Sequence, residues 1–254
     1  MAEVALRLGI ATNYGLKAAD AFYAAERGAN LWLWTPRYKT ATPVIRSVVA
    51  RDRDQHVVAM LGTAYTAGMV RRGVEGALRK LQLDHLDVYL LGWLGRGAAF
   101  GPGVQDELLK LKGEGKITAV GCSIHDRPRA GRLAADSILD AFMIRYNAKH
   151  PGAEQDIFPH LAARDPLLLS YTNTSWRQLI TPISGLGAPL TPAECYRFVL
   201  SSPHVHAAWT GPAARAQPDE NLAAPDAGPP PPEEDARIRQ YGLAAQSTTQ
   251  IPLM

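Results

Sequence analysis

Short apolar runs alternate along this chain with longer stretches that repeat at helical spacing. The runs are LRLGIA (6–11), NLWLW (30–34), HVVAML (56–61), LDVYLLGW (86–93), KITAVGCS (116–123), LDAFMIRYN (139–147), PLLLSYT (166–172) and VHAAWTG (205–211). Brief, branched-rich and bounded by turn residues, they predict strands. Between them lie helical patterns. KAADAFYAAERG (17–28) repeats Ala18, Phe22 and Ala25 on one face and stops at Gly28. TPVIRSVVARD (42–52) offers Thr42 as N-cap and Pro43 as first helical residue. MVRRGVEGALRKLQLD (69–84) places Val70, Val74, Ala77, Leu78 and Leu81 along one face. VQDELLKLKGEG (104–115) ends at glycine, PRAGRLAAD (128–136) is helical, and AEQDIFPHLAAR (153–164) is helical but interrupted by Pro159. AECYRFVLSS (193–202) follows Thr191 and Pro192 as a capped start, and two helical pieces separated by APDAGPPPPEED come last.

Eight strands with helices between nearly all of them imply a parallel sheet. Within 254 residues this favours the closed α/β architecture, a (β/α)8 TIM barrel of ~250 residues, over an open sheet. No G-x-G-x-x-G follows the first strand, which argues against a dinucleotide-binding open sheet. The expectation is a single domain over 1–254, with a proline-rich loop at 228–232 before the C-terminal helix.

Composition narrows the class without naming a reaction. A hydrophobic fraction of 46% supports a sizeable core, and a net charge of +3 without a basic block gives no reason to expect nucleic acid. Cys122 and Cys195 are the only cysteines, too few for a disulfide framework or metal cluster, and are read as small buried residues. No metal site is expected. The start lacks a signal-peptide pattern and no run of 18 or more apolar residues appears. The expectation is therefore a cytoplasmic protein away from membranes, with a small molecule as partner. Its oligomeric state is unreadable.

In a barrel the chemistry gathers at the C-terminal strand ends. Those positions are TPRYK, GTAYT, GWLGR, SIHD, RYNAKH, YTNTSW and TGPAAR, after strands two to eight. Among their residues, Tyr65 could reach the pocket or simply line the rim. His125 is either a substitute acid or base or polar surface. Arg145 suits a carboxylate or phosphate, or a salt bridge within the barrel. Asn147 shares its polar segment. Trp34 and Trp93 are expected to line the mouth.

Three segments carry a family resemblance. RRGVEGALRKLQLDHLDVYLLGW (71–93), LKGEGKITAVGCS (111–123) and GPAARAQPDENLAA (211–224) together resemble the aldo-keto reductase superfamily, in register over most of the chain. The resemblance implies an NADPH- or NADH-dependent oxidoreductase acting on a carbonyl or related small molecule. That family uses an Asp, Tyr, Lys, His tetrad. Its spacing maps the proton-donating tyrosine onto Tyr38, and the aspartate, lysine and histidine positions onto Leu33, Gly62 and Gly92. Tyr38, His125 and Arg145 are then the catalytic candidates. The resemblance further implies Tyr146 as the aromatic on the nicotinamide. Thr172, Asn173, Gly211, Arg215, Gln217, Glu220 and Asn221 would hold the rest of the cofactor. With most of the tetrad replaced, a non-redox enzyme (lyase, cyclase or isomerase) or an inactive ligand-binding barrel stands as the alternative.

Overall fold

The eight apolar runs become eight parallel strands in the computed structural model, which describes residues 7–12, 14–37, 41–213, 215 and 217–247. They are β1 (Leu8–Ala11), β2 (Leu31–Trp34), β3 (Val57–Gly62), β4 (Leu86–Leu91), β5 (Ile117–Ile124), β6 (Ala141–Arg145), β7 (Leu167–Tyr171) and β8 (Ala207–Thr210). Each pairs with its neighbour in chain order, and β8 closes on β1 with Gly9 opposite Trp209. The result is the closed (β/α)8 barrel that the alternation predicts. Outside it run α1 (Ala18–Glu26), α2 (Thr42–Val44), α3 (Ala67–Leu81), α4 (Pro102–Gly113), α5 (Arg127–Ala135), α6 (Ala153–Asp156), α7 (Pro192–Ser201), α8 (Gln217–Ala223) and α9 (Pro232–Ser247).

Local chemistry accounts for most helix boundaries. In α7, Thr191 and Glu194 form the reciprocal capping box, with Pro192 in the first turn. In α3 the buried set is Val70, Val74, Ala77, Leu78 and Leu81, the face read from the periodicity. Two expectations fail. The buried face of α1 is set by Ala21 and Ala24, rotated from the expected stripe, whose Phe22 and Ala25 pack against the core only partly buried. Thr42 does not cap α2; its Oγ1 accepts from the Trp34 indole at 3.2 Å, and the chain continues as a widened turn over Ile45–Val49. Pro159 breaks its segment as expected, leaving α6 and a separate tight turn over Phe158–Ala163.

Strand residues sort into two apolar layers. Leu31, Leu33, Ala59, Val88, Leu90, Met143, Leu169 and Trp209 fill the barrel interior. Trp32, Trp34, Met60, Tyr89, Phe142 and Ile144 pack outward against the helices. Glycines make the interior possible. An ideal Cβ on Gly9 would lie 2.6 Å from Leu31 Cγ, beside the Trp209 ring, and one on Gly121 would lie 2.6 Å from the Ala141 carbonyl oxygen. Cys122 and Cys195 are buried, and burial raises both thiols to about 12, as expected of inert packing residues. No described helix is long and apolar enough to cross a membrane.

The turn after β6 carries a half-buried histidine, His150. Asn147 Oδ1 accepts from the His150 amide at 2.9 Å and meets its ring Nδ1 at 3.1 Å. Burial, then Arg145, Lys149 and Arg127, hold the His150 pKa down to about 4.

Two outcomes follow. Gly121→Val should overpack the interior and lower unfolding free energy by about 1–3 kcal/mol, read from a urea midpoint at unchanged slope. For His150, the unfolded chain binds a proton near pH 6.5 and the folded chain only near 4, so the unfolded state holds more protons in between. Stability should therefore fall as pH drops from about 6.5 to 4, and His150→Gln should flatten that slope.

Candidate functional site

The last inward residue of each strand reaches the C-terminal rim, where a cavity of about 650 Å³ opens. Its floor is apolar: Ala11 and Leu33 from β1 and β2, Leu61 from β3, Met143 from β6 and Trp209 from β8. One wall is the loop after β7, from Tyr171 to Arg177, and the far end is α8, through Gln217, Glu220 and Asn221. Trp93 and Tyr14, both substantially exposed, stand at the rim.

Three polar side chains meet at the mouth. The Tyr171 hydroxyl lies 3.0 Å from His125 Nδ1, and Arg145 Nη2 lies 3.4 Å from the same nitrogen. Burial, then Arg145 and Arg96, lower the His125 pKa, so its ring stays neutral near pH 7. Burial pushes the Tyr171 phenol up to about 12, so it too is neutral and can donate. Arg145 stacks on Trp176, with its guanidinium carbon 4.7 Å from the ring centroid.

The loop carrying Trp176 is held in an unusual shape. Thr172, Ser175, Trp176 and Arg177 have φ of 57°, 50°, 50° and 71°. Such left-handed residues without glycine cost about 1–3 kcal/mol each and persist where their surroundings impose them. The surroundings here are buried amides. Asn147 Nδ2 donates to the Thr172 carbonyl at 2.7 Å, and Asn173 Nδ2 donates to the Trp209 carbonyl at 2.9 Å. Lys149 Nζ adds a 2.7 Å bond to Gln178 Oε1 at the loop's end.

Several sequence expectations change at this point. Trp34 is 1% exposed and turned outward onto Thr42, so it does not line the mouth. Tyr146 also faces outward, donating to Glu154 Oε1 at 2.8 Å and stacking on Phe198; it is no platform at the mouth. The tyrosine that the alternation along β6 and β7 turns into the cavity is Tyr171, which the sequence reading missed. Asn147 is fully buried and positions the loop from beneath, outside the cavity lining. Tyr65 is exposed, bonded to the Arg96 carbonyl, and does not line the cavity. Gly62 faces outward, since a Cβ there would lie 2.7 Å from Tyr89 Oη; the inward residue at that strand end is Leu61. The position to which the resemblance assigns lysine, Gly62, is thus turned away from the cavity that Leu61 lines. Gly92 does face inward, next to Leu61.

The remaining candidates lie on the cavity or beside it. His125, Arg145, Trp93, Thr172, Asn173, Gly211, Gln217, Glu220 and Asn221 all line the cavity. Asn221 Nδ2 and the Tyr196 hydroxyl both donate to Thr210 Oγ1 at 2.8 Å, joining α8 and α7 to the end of β8. Gly211 lies directly against the Tyr14 ring, which a Cβ there would displace. Arg215 does not line the cavity; its guanidinium carbon sits 4.5 Å from the Tyr23 ring on α1. Tyr38 lies outside the described residues.

No protein-family model matches the sequence, and no curated protein is detectably similar to it. Solved structures match the shape. An aldo-keto reductase of Bacillus halodurans in its holo form superposes with a TM-score of 0.77 at 18% identity, covering 92% of this chain and 91% of that one. An aldo-keto reductase of Klebsiella pneumoniae in complex with NADPH superposes at 0.76 with 20% identity, covering 98% and 95%. A Klebsiella pneumoniae aldo/keto reductase in complex with NADP and acetate gives 0.74 at 22% identity, covering 93% and 91%. The chain therefore has the barrel fold of the aldo-keto reductases.

Proposed function

We propose that the protein is an NADP(H)-dependent oxidoreductase that interconverts a small carbonyl compound and its alcohol. The observation that carries this reading is the continuous cavity from the barrel mouth to α8. The similar Klebsiella structures hold NADP or NADPH, and about 650 Å³ falls within the range of about 300–1,000 Å³ usual for a small-molecule or cofactor site. Its donor set suits a flat ring joined to phosphates. Tyr171, Trp93 and Trp176 offer ring faces, Arg177 offers charge, and the buried Trp209 Nε1 donor has no protein partner.

Thr172, Thr174, Gly211, Gln217 and Glu220 would hold the cofactor, with Asn173 bonded to the Trp209 carbonyl and Asn221 to the Thr210 hydroxyl behind them. Arg215 would act from outside the cavity lining. When bound, a nicotinamide supplies or accepts the hydride. The chain's own part is to exclude water with the apolar floor of Leu33, Leu61 and Met143, and to handle one proton. Tyr38 is the proposed proton donor. His125 and Tyr171, both neutral, hold the carbonyl oxygen by hydrogen bonds. NADP is preferred over NAD on the basis of the similar structures.

A second reading, non-redox catalysis or ligand binding without chemistry, draws on one observation. Leu33, Leu61 and Gly92 give the β2–β4 side of the mouth no ionisable group. Turnover without nicotinamide would decide for it.

Titration with NADPH and NADH, followed by tryptophan fluorescence, should show saturable quenching through Trp93, Trp176 and Trp209, tighter for NADPH. Absence of binding by either cofactor would sink the oxidoreductase reading. Tyr38→Phe should lower kcat by ~10²-fold or more while leaving cofactor affinity unchanged. An unchanged kcat would remove Tyr38 from the mechanism.

A further inference from the structure

Arg145 differs from the seven arginines whose guanidinium is tied to a carboxylate. Arg27, Arg53, Arg71, Arg127, Arg197, Arg237 and Arg239 each pair with a carboxylate. No carboxylate among the described residues pairs with Arg145, although it is the last inward residue of β6 and lines the cavity. Its Nε is buried with no partner. Its neighbour at the mouth is a neutral histidine ring, which cannot offset the charge. An arginine held in this way and left without a counter-charge is costly unless something supplies one.

Two further donors lack partners nearby. Ser123 Oγ and Trp209 Nε1 are both buried and unbonded. The register puts them on the same face as Arg145. Ser123 pairs with Met143, one layer below, and Tyr171 pairs with Arg145 across β7 and β6. Trp209 lines the same cavity. Three of the five orphaned buried side-chain atoms among the described residues thus belong to inward positions of β5, β6 and β8. Ser123 lies beneath the cavity lining, whereas Arg145 and Trp209 form part of it; buried polar groups are normally satisfied, so the unpaired Arg145 and Trp209 donors point to a polar ligand.

The geometry also fixes the guanidinium. Trp176 lies against its face, from a loop strained at Ser175, Trp176 and Arg177 and braced by Asn147 and Asn173. A guanidinium pinned by its face presents its N–H edge, the arrangement that receives two carboxylate oxygens. Around it the floor is apolar, through Leu33, Leu61 and Met143. Glu220 is the acidic residue on the cavity wall, and it stands on α8 at the opposite end from the β6 rim.

We propose that Arg145 is the counter-ion of a carboxylate carried by the substrate, so that the carbonyl compound this barrel accepts is a small oxo acid. The substrate class rests on the oxidoreductase reading; the anion site itself does not. Arg145 binds and orients, leaving the carbonyl beside Tyr171 and His125. A phosphate of the cofactor has the same chemistry, so the two sources need separate arms in the test.

Tryptophan fluorescence is followed while propionate, propionamide and NADPH are each titrated into the full chain and into Arg145→Gln and Arg145→Lys, with circular dichroism confirming folded protein. Expected are saturable binding of propionate but not propionamide, at least a tenfold loss of propionate affinity in Arg145→Gln, and partial recovery in Arg145→Lys. NADPH affinity should change by less than threefold. Equal binding of acid and amide overturns the proposal. So does a variant that loses NADPH but keeps propionate, which would assign Arg145 to the cofactor's phosphate. Propionate binding that depends on Arg145, in a protein that binds no nicotinamide, supports the anion site while removing the redox reading. Should Arg145→Gln fail to fold, the acid–amide comparison on the unaltered protein and on Arg145→Lys still decides.

Discussion

In a closed parallel barrel each strand residue has two destinations, and the pairing register assigns it one. Inward residues meet a shared interior that must be packed; outward residues meet helices. Here the register turns Leu33, Leu61, Met143, Arg145, Tyr171 and Trp209 inward. It turns Trp34, Gly62 and Tyr146 outward. Every property of the mouth depends on that assignment. A one-residue slip on β6 would exchange the cation Arg145 for Ile144 or Tyr146.

The same constraint explains how much of the molecule was legible in its sequence. Strand number, order and closure followed from eight apolar runs, since a parallel strand buried on both faces needs apolar residues throughout. That same feature hides direction. LWLW (31–34) is apolar at every position, so nothing in it marks Leu33 as inward and Trp34 as outward. Where helices have a polar face, as α3 does, the buried stripe could be read. α1 is alanine-rich on several faces, and packing rather than pattern chose Ala21 and Ala24.

The site was legible in its residue types and less so in its partners. RYNAKH and YTNTSW stood out as polar segments at strand ends, and both do shape the cavity. Their roles divide in ways spacing does not reveal. Asn147 and Asn173 are loop supports whose amides satisfy backbone carbonyls. Tyr146 and Tyr171 are both aromatic and both end strands, but only the second shares the inward face of Arg145. The signal that finds Tyr171 is its two-residue step from Leu169, an interior position.

Polarity in this mouth is unevenly distributed, and that unevenness has chemical consequences. On the β2–β4 side, Leu33, Leu61 and Gly92 remove charge and lower the local dielectric. On the β5–β8 side, His125, Arg145, Tyr171 and Trp209 gather donors. An apolar wall facing a cation strengthens the field of that cation, because apolar side chains polarise little in response to it. The field already acts on the chain's own groups: Arg145 and Arg96 add to burial in keeping His125 neutral. A neutral imidazole cannot serve as a counter-ion or as a strong acid, so it leaves both the arginine's charge and any required proton to other groups. The mouth is thus polar on one side only, and β6, through Arg145, brings its cation to that side.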